Sequence, residues 1–289
     1  MNPDINSKFI TLLGMPLHQS FAARMQNAAY AAMGLNMQYS YCEVENDHLG
    51  DVVNGLRYMP YAGFAVTKPN KVEVLKYLDE LDPLCAKMGA SNTVVVKDGK
   101  LIGYNTDGIG FYRSVCEECP DLKFDETVFF CSGAGGAGRA ICSVLAYYGA
   151  KKIYITDMFE SSAAALVEDI NKNFAPVAEQ VGFEDKENLY AVAKKSDFLI
   201  NATGLGMEKT KDQTPYPKEI LDKKQICFDA TYNPAKTRFL IEAEEVGCKA
   251  INGLGMSLYQ GAAQIELWSG KDAPIQVMHD ELMAILAGK

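Results

Sequence analysis

No apolar run in these 289 residues approaches the length of a membrane span, so a transmembrane helix is not expected. Positive charge is in deficit. The 28 Lys and Arg stand against 37 Asp and Glu, a net charge of −9, which makes nucleic acid and anionic membranes poor partners and leaves only local basic pockets for small anions. Histidine is scarce: only His18, His48 and His279 occur, none in a nucleophile or metal motif, so His-dependent hydrolase triads and histidine-ligated metals are not expected. The eight cysteines are scattered, and the C-x-x-C pair Cys116 and Cys119 has no second pair or nearby His to complete a zinc site. The opening segment, Met1 to Lys8, lacks the charged and apolar regions of a signal peptide, which leads us to expect a cytoplasmic protein. What remains, 48% hydrophobic and 22% charged residues, suffices for two domains with a substantial core in each.

The most specific local feature is Gly133-Ala134-Gly135-Gly136-Ala137-Gly138, preceded by the apolar run Thr127 to Cys131 and followed by a helix-period segment from Arg139. Glycines at G-x-G-x-x-G spacing between a strand and a helix form a phosphate-cradling turn. Gly133 permits the tight turn, Gly135 lets the backbone approach a pyrophosphate, and Gly138 lets helix and strand pack closely. The anion then sits on the helix N-terminus, where unpaired N–H groups and the dipole favour negative charge. A second strand, Lys152 to Asp157, ends in an acid at about the interval where a carboxylate holds the adenosine ribose. Asp157 therefore predicts NAD, with NADP disfavoured by repulsion of its extra phosphate.

Upstream, strands and helices alternate: strands at 9–13, 38–44 and 61–66, helices at 21–33, 47–56 and 70–78, a hairpin from 93–96 and 101–104, and a helix at 107–116. The acidic, proline-containing stretch from Glu117 to Asp121 is the predicted boundary. The fold class is α/β in two domains: an N-terminal, mostly parallel α/β sandwich over 1–118 that binds substrate, and a Rossmann-type dinucleotide domain over 119–253. The last two helices, within 254–289, are expected to return to the first domain and close a cleft.

Three polar clusters stand out between these patterns: Thr67-Lys68-Pro69-Asn70-Lys71, Ala90-Ser91-Asn92-Thr93 and Asn105-Thr106-Asp107-Gly108. Two of them lie where a strand ends and a helix begins, the edge at which open sheets bind ligands. Singly, each residue has an ordinary explanation: Thr67 and Asp107 as N-caps, Lys71 as a solvated side chain, Asn92 as a turn residue. Together with Gly133 to Ala137, Asn201-Ala202-Thr203, Asp229-x-x-Tyr232-Asn233-Pro234 and Gly253-x-Gly255-Met256-x-x-x-Gln260-Gly261-Ala262, their order and spacing resemble the shikimate dehydrogenase family. Tyr232-Asn233-Pro234, the segment from Trp268 to Pro274 and Met25-Gln26-Asn27 look closest to its quinate/shikimate branch.

The resemblance implies an oxidoreductase that moves hydride between the nicotinamide and a ring hydroxyl of shikimate, quinate or a close hydroxylated ring carboxylate, within the shikimate pathway. It implies that Lys71 is the acid/base and Asp107 its partner, and that Ser20, Thr67, Asn92, Tyr232 and Gln260 hold the other substrate groups. Gly133, Gly135, Gly136, Ala137, Gly138, Arg139, Asp157, Thr203 and Gly253 then line the cofactor. One departure bears on substrate. Where relatives carry Ser-x-Ser-Pro for the ring carboxylate, this chain reads Gln19-Ser20-Phe21-Ala22-Ala23, and Ala65 stands where many have Asn. A lost hydrogen bond to a carboxylate removes about 1.5–3 kcal/mol unless Gln19, Tyr232 or water replaces it. The departure points to quinate, or to a substrate with a different group at that position. A non-catalytic NAD- and ring-acid-binding sensor of the same fold is the alternative, and the chain leaves room for a homodimer.

Overall fold

The computed structural model describes residues 4–18 and 20–288. In chain order the first part holds β1 (Lys8–Gly14), α1 (Ala22–Ala32), β2 (Met37–Glu43), α2 (Asn46–Leu56), β3 (Tyr61–Val66), β4 (Glu80–Leu81), α3 (Pro83–Met88), β5 (Thr93–Lys97) and β6 (Lys100–Tyr104). Next come α4 (Thr106–Glu118), β7 (Val128–Ser132), α5 (Gly136–Tyr147), β8 (Lys152–Thr156), α6 (Glu160–Asn173), β9 (Ala178–Gln180), α7 (Lys186–Lys195), β10 (Phe198–Asn201), β11 (Ile226–Asp229), α8 (Arg238–Val246), β12 (Lys249–Asn252), α9 (Leu254–Ser269) and α10 (Ile275–Leu286). The α/β fold class is as expected. Two compact units emerge, one running to Gly110 and resuming at Leu258, the other covering Phe111–Ser257. This divide falls within α4, upstream of the acidic stretch.

The first unit is built on a six-stranded sheet of order β2-β1-β3-β5-β6-β4. β1 runs parallel to β2 and β3, β4 parallel to β6, and β5 antiparallel to β3 and β6. One face packs Leu13, Phe64, Val66 and Val94 against Leu49, Val53 and Leu56 of α2, all buried. Apolar residues at 49, 53 and 56 recur at helical spacing, which is why α2 docks along that stripe. On α9, Trp268 donates from Nε1 to the Val94 carbonyl at 3.0 Å. α10 packs on α1, and all of α10 and α9 from Leu258 onward belong to this unit. The helix expected over 70–78 is instead a short 3-10 helix, Glu73–Tyr77. β-branched Val72 and Val74 and aromatic Tyr77 disfavour an α-helix there.

The second unit carries the all-parallel sheet β12-β11-β10-β7-β8-β9. Both faces are covered, so its strands are continuous apolar runs, Phe129-Phe130-Cys131 and Phe198-Leu199-Ile200 among them, all fully buried. Tyr216 is buried beside them; its hydroxyl accepts from the Ser132 amide at 3.1 Å and donates to the Ile200 carbonyl at 2.8 Å. Among the described residues, no helix is long and apolar enough to cross a membrane.

Candidate active site

Strand register assembles the first cluster. Ala65 of β3 pairs with Thr93 of β5, and Thr93 pairs with Tyr104 of β6. Because β5 is antiparallel to both neighbours, its start lies beside the ends of β3 and β6. The residues just beyond those points, Thr67 to Lys71, Asn92, and Asn105 to Asp107, therefore share one edge of the sheet. Lys71 and Asp107, 36 positions apart, meet there: Lys71 Nζ lies 2.6 Å from Asp107 Oδ2. Their side chains are 26% and 18% exposed, so the pair is largely desolvated yet open to a ligand.

Asp107 does not cap α4. Asn105 does so, its Oδ1 accepting from the Asp107 amide at 3.2 Å. That leaves the Asp107 carboxylate for Lys71 on one oxygen and for Asn92 Nδ2, at 2.8 Å, on the other. Asn92 is buried, and its Oδ1 accepts from the Thr106 amide at 2.7 Å. Thr67 is half-buried at the end of β3, its amide donating to the Leu13 carbonyl and its carbonyl accepting from Asn70. The buried Asn70 anchors the Lys71 segment by donating to the Val44 carbonyl at 2.9 Å.

Ser20 is tied to the start of α1: its Oγ accepts from the Ala22 amide at 3.3 Å, and Tyr41 donates to its carbonyl at 2.7 Å. Tyr41 also accepts from the Ala23 amide at 3.0 Å. Gln19 lies outside the described residues. Gln260 is half-buried on α9. Tyr232, in the second unit, is half-buried, and burial raises its phenol above the ordinary value, keeping it a neutral hydrogen-bonding group.

In the second unit, register again aligns the strand ends: Thr156, Ser132, Asn201, Asp229 and Asn252 form one row across five strands. Gly133, Asp157 and Gly253 follow immediately, and Thr203 and Tyr232 two and three residues after their strands end, at the carboxyl edge where such sheets bind ligands. Gly133 has φ +106°, and a Cβ on Gly138 would stand 1.8 Å from the Gly133 carbonyl oxygen. A Cβ on Gly135 or Gly136 would instead meet nothing within 4 Å. No side chain caps α5 at Gly135, so its first-turn amides face that open space beside Ala137. This combination fits the pyrophosphate of a dinucleotide.

Arg139 turns its guanidinium to Asp169 on α6, at 2.6 Å. Thr203 is exposed, with its hydroxyl donating to Asn201 Oδ1 at 2.6 Å. Gly253 is buried where a Cβ would lie 2.1 Å from the Ala230 carbonyl oxygen. Within the row of strand ends, Asp229 is fully buried and accepts from Asn201 Nδ2, Thr237 Oγ1 and the Thr231 amide at 2.9, 2.7 and 2.9 Å. Sequence reasoning missed Gln264, a buried polar residue in an otherwise apolar stretch of α9. That isolation was its only signal.

Residues 12–94 match the shikimate dehydrogenase substrate binding domain, and residues 253–283 the shikimate 5'-dehydrogenase C-terminal domain. A shikimate dehydrogenase (NADP(+)) from Streptococcus uberis is 40% identical over 280 residues, 94% of each chain. The crystal structure of shikimate 5-dehydrogenase from Listeria monocytogenes, in complex with shikimate and NAD, superposes with TM-score 0.92 at 38% identity over 98% of both chains. The ligand-free 5-ketofructose reductase of a Gluconobacter strain does so with TM-score 0.89 at 32% identity, over 98% of this chain and 100% of that one.

These findings correct the expectation of NAD over NADP. Curated relatives at 37–40% identity are named for NADP(+). The physical reason lies in Asp157. Its Oδ2 accepts from the Ala134 amide at 2.7 Å and its Oδ1 from the Phe159 amide at 2.8 Å, so the carboxylate braces the glycine turn and its presence is explained without a ribose.

Proposed function

This chain belongs to the shikimate dehydrogenase family, and we propose that it oxidises a ring hydroxyl of shikimate, or of a close hydroxylated ring carboxylate such as quinate, reversibly, with NADP. The observation that carries this reading is the 2.6 Å contact of Lys71 with Asp107, whose other oxygen is held by Asn92. The nicotinamide supplies the hydride acceptor, and its diphosphate suits the open first turn of α5. In ketone reduction Lys71 donates a proton from Nζ to the ring oxygen as hydride reaches the carbon, and in oxidation it takes that proton back. Asp107 orients Nζ through their 2.6 Å contact. Thr67, Asn92, Gln260 and Ser20 of the first unit provide donors and acceptors for the remaining groups, and such a site rejects analogues that leave them unpaired. Because its relatives are named as enzymes, the sensor alternative is not taken further.

Ala22 favours a second reading: reduction of a neutral polyhydroxy ketone, with no carboxylate to bind. The likeness to 5-ketofructose reductase supports it. One assay series separates the two. Turnover is measured with shikimate, quinate and 5-ketofructose, each with NADP(H) and NAD(H). Activity on ring acids with NADP is expected; turnover of the ketose alone would replace this reading with the second. Lys71→Met should lower kcat by about 10²–10⁴-fold while dinucleotide affinity stays within about twofold. Retained turnover would exclude Lys71 as the proton carrier.

A further inference from the structure

Beyond Asn92 the hydrogen bonds do not stop. Thr93 Oγ1 lies 2.8 Å from Asn92 Oδ1 and accepts from Gln264 Nε2 at 3.0 Å, while Gln264 Oε1 accepts from Gln26 Nε2 at 3.1 Å. Gln26 Nε2 also donates to the Gly261 carbonyl at 3.1 Å. Every member is almost fully enclosed: Gln26 0%, Asn92 3%, Thr93 0% and Gln264 3% exposed. The chain thus runs without a gap from the core between α1 and α9 to the Lys71–Asp107 pair. All of it lies within the first unit.

Its direction is determined by chemistry. The Asp107 carboxylate accepts from the Asn92 amide, so Asn92 presents nitrogen to Asp107 and oxygen to Thr93. The Thr106 amide, which only donates, holds the same Asn92 oxygen at 2.7 Å and forbids the flipped orientation. Thr93 must then donate to Asn92 and accept from Gln264, and Gln264 must offer its NH₂ to Thr93 and its oxygen to Gln26. Two buried amides are an expensive way to fill a core, and the arrangement leaves Gln26 Oε1 with no partner. An apolar pair would cost less, so stability alone does not account for them.

We propose that Thr93 and Gln264 are positioning residues: they lock the Asn92 amide so that one Asp107 oxygen is occupied and the other is aimed at Lys71. The kinetic part of this proposal rests on the dehydrogenase reading; the structural part does not. The test uses Thr93→Val, Thr93→Ser and Gln264→Met in the full chain. The ¹H–¹⁵N signal of the Lys71 amine group, read without substrate or cofactor, reports its contact with Asp107. Thr93→Val should shift or broaden that signal and lower kcat about tenfold with substrate KM within about twofold, while Thr93→Ser restores both to near wild type. Gln264→Met should act in the same direction and serves if Thr93→Val does not fold. Variants that lower only the melting temperature, with the Lys71 signal and kcat unchanged, would overturn the proposal. So would a Thr93→Ser variant as impaired as Thr93→Val. Should the wild-type chain turn over no substrate, the dehydrogenase reading fails, and the Lys71 signal still decides the positioning role.

Discussion

The two units prepare for their ligands by opposite means. In the first, the edge of the sheet is furnished with side chains, Lys71, Asp107, Asn92 and Thr67, each held by hydrogen bonds. In the second, the edge is stripped of them at Gly133, Gly135, Gly136 and Gly138, which leaves backbone as its surface. The first is therefore sensitive to the loss of a functional group, the second to the gain of a methyl. The contrast follows from the ligands each fits. A hydroxylated ring needs directional donors and acceptors, whereas a diphosphate needs closely approaching N–H groups and a helix dipole.

The sharpest way to break this comparison is a methyl on the glycine turn. In Gly138→Ala the new Cβ would collide with the Gly133 carbonyl, with backbone on both sides. We expect a loss of about 3 kcal/mol or more, the upper range for overpacking, measured by chemical denaturation. If Gly138→Ala were as stable as wild type, the close strand-to-helix approach would not be a requirement of the turn.

Gly135→Ala sharpens the same point with a smaller effect. Its Cβ would enter open space, so the apo protein should lose less than about 1 kcal/mol, the cost of a poorer N-cap. NADP binding by calorimetry should nevertheless weaken about tenfold, or about 1.4 kcal/mol, since the methyl occupies the approach to the pyrophosphate. Unchanged affinity would place the diphosphate elsewhere.

Much of this was legible from local pattern. The glycine turn and the strand ends are marked by residues close together in sequence, and parallel strands make continuous apolar runs that are easily seen, whereas Lys71 and Asp107 stand out only through the order and spacing of motifs along the whole chain. Helices α6 and α7 were not anticipated, because their buried stripes are thin: Ala163, Leu166 and Ile170 on one, Leu189 and Ala193 on the other, amid polar residues. The place of Asp157 at a strand end is legible locally, but its bond to the Ala134 amide, 23 residues away, is not. Gln264 was overlooked for the same reason in stronger form. Its contact with Thr93 spans 171 residues, and no local pattern encodes it.

A second contrast between the units concerns their carboxylates, and it yields the smallest predicted effect. Asp107 faces a cation; Asp229 is fully buried among neutral donors only, from Asn201, Thr237 and Thr231. Burial raises the Asp229 carboxyl above the ordinary carboxylate value, and those donors oppose the rise without cancelling it. Between the unfolded value, about 3.9, and the raised folded value, the native state binds more protons than the unfolded chain, so its contribution to stability falls as pH increases. Asp229→Asn removes this titration while keeping the shape. The melting temperature of wild type minus that of Asp229→Asn should therefore decline from acid toward neutral pH, by on the order of a degree or two, and then level off. A difference that grew with pH would mean that the three donors outweigh burial and that Asp229, like a paired carboxylate, prefers its charged form.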